Sequence, residues 1–142
     1  MITCTRRIQF CAGHRVLNHE GKCRNLHGHN YVVLITAEAD GLDFIGRVID
    51  FSVLKQKVGG WIEQKWDHGF IVFSEDNEAK KALSVCNEQK TFEMPANPTA
   101  ENMAKYLLNT VCPAVLKGTG VRVVKVVCWE TENCHAEAIH GQ

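Results

Sequence analysis

The period of apolar and polar positions changes several times along the 142 residues, and each change marks an element. Over 3–12, Cys4, Ile8, Phe10 and Ala12 alternate loosely with polar residues, which predicts a first strand. Ala12-Gly13-His14 then leads into a polar loop over 15–25. The run Tyr31-Val32-Val33-Leu34-Ile35 is rich in β-branched and aromatic residues and predicts a second strand over about 27–38, closed by Asp40-Gly41. Two strands with one loop between them read as an antiparallel pair. Residues 45–49 predict a short third strand. Asp50 is placed to cap a helix in which Val53, Leu54, Val58, Trp61 and Ile62 recur at helical spacing, with Gly59-Gly60 as a weak point inside it. Trp66-Asp67-His68-Gly69 ends that helix, and a short apolar run over 70–73 follows.

Residues 74–98 have no sustained period. Ser74-Glu75-Asp76-Asn77 caps a short helix through Val85, and Pro95 and Pro98 bracket the exit. Thr99 caps a further helix with an apolar face of Ala100, Met103, Ala104, Leu107, Leu108 and Val111, which Pro113 should stop. A strongly apolar strand over 121–129, a turn at Glu130-Thr131-Glu132-Asn133 and a last strand over 134–139 complete the chain. Strand pairs separated by helices argue for an α+β class with an antiparallel sheet. The length argues for one domain over 1–142, with no internal repeat.

Composition narrows the function classes. Lys plus Arg and Asp plus Glu each total 16, so no charge field favours nucleic acid or an acidic membrane. No apolar run reaches membrane-spanning length, and Met1-Ile2-Thr3-Cys4-Thr5-Arg6-Arg7 does not read as a signal peptide. Seven cysteines, an odd number at irregular spacing, read as reduced thiols, most of them apolar fillers, in a cytoplasmic protein.

Candidate chemistry concentrates in Cys23-Arg24-Asn25-Leu26-His27-Gly28-His29-Asn30-Tyr31. Alternation along a strand puts His27 and His29 on one face, and antiparallel pairing lets His14 lie opposite them. Three neutral imidazoles leave tetrahedral Zn²⁺ one open position, as in a catalytic site; Cys23 in that position would instead close a structural site. Spacing leaves both arrangements open. Asp67-His68 at a helix end could tune a general acid or base, or be a solvated terminus. Glu130 closes an apolar strand, where a turn residue is the plainer reading.

The motifs Phe10-x-Ala12-x-His14, Cys23-x-x-x-His27-Gly28-His29-Asn30-Tyr31, Asp50-Phe51 with Leu54-Lys55, Asp67-His68, Asn97-Pro98-Thr99-x-Glu101 and Trp129-Glu130-Thr131 resemble, in this order, the 6-pyruvoyl-tetrahydropterin synthase / 6-carboxytetrahydropterin synthase family. The resemblance implies a tunnelling fold, with an antiparallel sheet and two main helices on one face. Subunit sheets would close into a trimeric barrel, and two trimers would stack into a homohexamer with active sites between subunits. It further implies that His14, His27 and His29 bind Zn²⁺, that Cys23 is the catalytic base and lies off the metal, that Asp67 and His68 are its relay partners, and that Glu130 anchors the pterin. The implied substrate is 7,8-dihydroneopterin triphosphate, and Lys22 and Arg24 are candidates to meet its phosphates. The three residues between Cys23 and His27, and the Trp-Glu-Thr turn, place the chain nearest the bacterial branch that makes 6-carboxytetrahydropterin on the queuosine route. Formation of 6-pyruvoyl-tetrahydropterin is the alternative within the family. Gly69-Phe70 after Asp67-His68, and a long 74–96 segment, depart from the family pattern. A zinc-stabilised module that binds a pterin or purine without catalysis is the rival of another class.

Overall fold

The computed structural model describes residues 1–141. Strands β1 (Cys4–His14) and β2 (His27–Ala39) form an antiparallel ladder in register from Cys4 opposite Ala37 to His14 opposite His27. The helix α1 follows over 51–65, then β3 (Gly69–Phe73), α2 (Asn77–Ser84), β4 (Thr91–Met94), the helix α3 over 100–115, β5 (Val121–Thr131) and β6 (Cys134–Ile139). One sheet holds all six strands in the order β4-β3-β1-β2-β5-β6.

Alternation decides what the sheet buries. Ile8, Phe10 and Ala12 of β1, Tyr31, Val33 and Ile35 of β2, and Val126 and Cys128 of β5 share one face. Leu54, Val58 and Ile62 of α1 and Met103, Ala104, Leu107 and Leu108 of α3 cover that face in a single core. The two main helices therefore lie on one side, as expected. Helix α2 packs separately, with Ala79 and Leu83 against Val72 and Phe70 of β3.

Several local expectations change. Residues 45–49 are a turn, not a strand. The Asp43 carboxylate accepts from the N–H groups of Ile45 (3.1 Å) and Arg47 (2.9 Å) and from the Arg47 guanidinium (2.8 Å), and Gly46 takes a left-handed φ of 95°. Phe44 and Ile45 are left exposed. The sheet is not wholly antiparallel, since β3 joins β1 in parallel and β4 joins β3 in parallel. Strand β4 falls inside the segment without period. Pro113 does not stop α3. The helix widens over Leu107–Val111, the Cys112 N–H donates to the Leu107 carbonyl five residues back, and Pro113, which has no N–H to place, enters the final turn. Helix α1 widens likewise over Lys55–Gly59, just before Gly60.

The three predicted caps are present. Asp50 accepts from Ser52 N–H, Asp76 from Ala79 N–H and Thr99 from Asn102 N–H. Of the seven cysteines only Cys112 and Cys128 are buried, so most are not core fillers. All seven are free. Among the described residues no helix is long and apolar enough to cross a membrane.

Candidate active site

The β1–β2 ladder builds the centre of the site. His14 ends β1 directly opposite His27, and Ala12 one step earlier lies opposite His29, so the three imidazoles meet on the helix-covered face. Their ring centroids are 4.7, 5.0 and 4.8 Å apart, and one nitrogen from each lies within 4.8 Å of the other two. His14 is almost wholly buried, at 1% exposure.

Two backbone carbonyls set the tautomers. His14 Nδ1 lies 2.7 Å from the Pro98 oxygen and His27 Nδ1 lies 2.6 Å from the Asn25 oxygen. A carbonyl only accepts, so each Nδ1 carries the proton and each Nε2 keeps its lone pair. The buried Nε2 atoms of His14 and His29 have no hydrogen-bond partner. Unpartnered buried nitrogens are costly unless something fills the space between them, and three converging imidazoles are a donor set for a borderline transition metal. Burial pushes the His14 and His29 pKa values down, against the opposing pull of Glu130. The neutral form that ligates a metal is thereby favoured.

Glu130 joins this centre. Strand β5 runs on through Thr131 with an irregularity between Trp129 and Thr131, so Glu130 is a strand residue and not part of the turn. Its carboxylate oxygens lie 3.5 Å from His29 Nε2 and 4.0 Å from His14 Nε2. Tyr31 stands edge-on to His14 and His29 with centroids at 5.9 and 5.6 Å. Its buried hydroxyl has no partner, and burial, then Glu130, push its pKa up.

Cys23 sits in a single helical turn, Lys22–Arg24, within the loop that joins β1 to β2. It is half-buried and lies outside the three-imidazole group. Lys22 and Arg24 beside it are exposed.

Asp67 and His68 pair with each other, His68 Nδ1 to Asp67 Oδ2 at 2.9 Å, but neither bonds to the Cys23 loop. Asp67 accepts the Cys11 N–H at 3.0 Å, and the His68 N–H donates to the Cys11 carbonyl at 2.7 Å. Although burial raises the Asp67 pKa, the Cys11 and His68 hydrogen bonds outweigh it and hold the carboxyl below its usual range. His68 takes a left-handed φ of 59°, is 79% exposed, and faces a 440 Å³ cavity that Cys11, Gly13, Gly28 and Asn30 also line. Ala12 and His29 line the same cavity, and Asp67 lines another with Phe10 and with Ile62 of α1, so the Asp-His pair stands at the edge of β1 beside Cys11, apart from the three-imidazole group.

The Pro98 and Asn25 carbonyls had no residue-type signal in the sequence, because any residue offers a carbonyl. Asn97, which brackets the loop through Leu17, was visible only as part of a motif.

The fold and this histidine centre define a tunnelling-fold protein of the pterin synthase class. The family model described as 6-pyruvoyl tetrahydropterin synthase matches residues 3–140, and the chain belongs to that family. The chain is 42% identical over 137 residues to a 6-carboxy-5,6,7,8-tetrahydropterin synthase of Rickettsia felis, covering 96% of this chain and 99% of that protein. It is 36% identical over 155 residues to the enzyme of that name in Aquifex aeolicus, covering 94% of each. Among solved structures, an uncharacterised protein of Wolinella succinogenes superposes with a TM-score of 0.80 at 23% identity, covering 98% of both chains. A Caenorhabditis elegans 6-pyruvoyl tetrahydropterin synthase superposes with a TM-score of 0.67 at 25% identity, covering 99% of this chain and 96% of that one.

Proposed function

We propose that the protein is a zinc-dependent lyase that converts 7,8-dihydroneopterin triphosphate to 6-carboxy-5,6,7,8-tetrahydropterin, releasing acetaldehyde and triphosphate, on the route to queuosine. The observation that carries this reading is the convergence of His14, His27 and His29, with two tautomers set by carbonyls and two buried Nε2 atoms unpartnered. Relatives at 40–42% identity over nearly the whole chain bear the name of the carboxy-forming enzyme, which favours that product over the pyruvoyl one.

His14, His27 and His29 would hold Zn²⁺, which when bound acidifies substrate hydroxyls and the C–H bonds beside them. Cys23, off the metal, is the base that removes a proton from the substrate side chain. A thiol is mostly protonated at neutral pH unless a cation lies close, and the neighbouring metal site would supply one. Glu130 offers two carboxylate oxygens to the paired N–H donors of a pterin edge, a planar match that fixes the ring. His68, oriented by Asp67, moves the second proton. Lys22 and Arg24, exposed beside the thiol, meet the triphosphate.

The position of Asp67 and His68 at the edge of β1, outside the three-imidazole group, supports a site completed by a second copy. Two open strand edges support the same assembly: β6 ends the sheet, and β3 with Asp67 and His68 covers β1 only at Cys11, Ala12 and Gly13, leaving that edge of β1 without a strand partner over the residues before Cys11. Edges of this kind invite pairing with another chain. A trimeric barrel, doubled into a homohexamer, satisfies both features. Free cysteines throughout fit a reducing cytoplasm.

The test is turnover of the pterin triphosphate by purified protein, abolished by a chelator and restored by Zn²⁺. Turnover that survives complete removal of metal would contradict the proposal.

A further inference from the structure

The turn that bears Cys23 is held at one remove. The Val16 N–H donates to the Cys23 carbonyl at 2.9 Å, which ties the thiol turn to the start of its loop. Both neighbours of Val16 are fastened from outside the loop. Arg15 donates from Nε to Asp76 Oδ2 at 2.6 Å and from a second nitrogen to Asp76 Oδ1. Leu17 is gripped twice by one side chain: its N–H donates to Asn97 Oδ1 at 2.9 Å, and its carbonyl accepts from Asn97 Nδ2 at 3.1 Å. A primary amide carries a donor and an acceptor in one plane, so it can close both hydrogen bonds of a single residue's backbone.

Asn97 is itself anchored. Its carbonyl accepts from Thr99 N–H at 2.8 Å and from Asn102 Nδ2 at 2.9 Å, which fixes it to the first turn of α3. The next residue, Pro98, is the one whose carbonyl orients His14. Two successive residues thus hold the two halves of the site, the thiol loop through the Asn97 side chain and an imidazole through the Pro98 oxygen. Outer-shell partners of this kind govern how precisely reacting groups meet, and a displacement on the order of 1 Å can cost about a hundredfold in rate.

We infer that Asn97 is a positioning residue that sets the Cys23 thiol relative to the three imidazoles. The inference rests on the proposed roles of Cys23 and the histidines and adds a residue that acts through them. Asn97 touches neither the thiol nor the imidazoles, so its effect passes through Leu17 and Val16.

The test compares metal-loaded full-length protein with Asn97→Ala and Asn97→Asp. The aspartate keeps the acceptor for the Leu17 N–H but sets an oxygen against the Leu17 carbonyl, and it decides the matter if the alanine variant does not fold. Three quantities are read: metal per chain, steady-state kinetics with 7,8-dihydroneopterin triphosphate, and the rate of iodoacetamide labelling at Cys23 against exposed Cys134 by peptide mass. The expected result is unchanged metal content, kcat lower by at least about tenfold with KM within about threefold, and Cys23 labelling altered by about fivefold or more while Cys134 is unchanged. Wild-type kcat, or wild-type labelling of Cys23, in a folded variant would overturn the inference. A wild-type chain that does not turn over the pterin triphosphate would remove the proposed reaction, and the labelling comparison alone would then decide the fastening.

Discussion

Two carbonyl oxygens, Pro98 and Asn25, place the protons of His14 and His27 on Nδ1 and turn both Nε2 lone pairs toward the same space. Cys23 stands outside that group, so its removal should cost chemistry and not metal. Cys23→Ala is expected to fold, hold one metal per chain and lose turnover; loss of metal by elemental analysis would instead make Cys23 a ligand. Asp76 is the residue whose protonation the fold feels most plainly. Buried at 2% exposure, it caps α2 and holds Arg15 next to His14. The Arg15 hydrogen bonds hold its carboxyl below the usual range. A carboxyl with a lower pKa folded than unfolded stabilises the fold above its unfolded value and loses that contribution as pH falls through the folded one. Asp76→Asn keeps a capping oxygen but no charge. It should destabilise by roughly 2–3 kcal/mol at neutral pH, because Arg15 keeps only the exposed Glu78 as an ionic partner, and the gap to wild type in urea melts should close below about pH 4.

At the scale of elements, strands β1 and β2, the cores of both long helices and all three caps were legible, because burial imposes a period and caps need particular residue types. What escaped had local causes. The 45–49 segment is apolar enough for a strand, yet Asp43 closes it into a turn with its own side chain. Strand β4 has Thr91, Phe92 and Met94, too short a run to stand out beside Pro95. Pro113 is a correct stop signal for a regular α-helix, and the wider turn before it is the geometry that evades the rule. Gly60 tests the same reasoning. Its φ of −63° is helical and an added Cβ would meet nothing within 4 Å beyond its own helix backbone, whereas at Gly59 the Cβ would touch Lys55 at 3.5 Å and Ile8 at 3.6 Å. Gly60→Ala should therefore stabilise α1 by about 0.5–1 kcal/mol, seen as a raised Tm; destabilisation would show that a contact beyond this chain needs the space.

In the whole molecule, the residues named from the motifs divide between one face of the sheet and the edge of β1, and no sequence period could have shown that. His14, His27, His29 and Glu130 gather on the helix-covered face, and Asp67 and His68 stand at the edge of β1, bonded to the backbone of Cys11. The proposed site draws these two groups from two copies. Chains carrying Cys23→Ala and chains carrying His68→Ala, each inactive alone, should regain activity when co-expressed, up to about one quarter of wild type if the copies mix at random. No recovery in verified mixed oligomers would place both groups in one protomer.

The proposed chemistry is a metal-dependent cleavage of a pterin side chain at the three-histidine centre. Its most direct test is a product assay on zinc-loaded protein given 7,8-dihydroneopterin triphosphate, with the pterin identified by mass and acetaldehyde measured by a coupled enzyme. The expected products are 6-carboxytetrahydropterin and acetaldehyde in equal amounts. A pyruvoyl product without acetaldehyde, or no turnover with zinc bound, would contradict that chemistry.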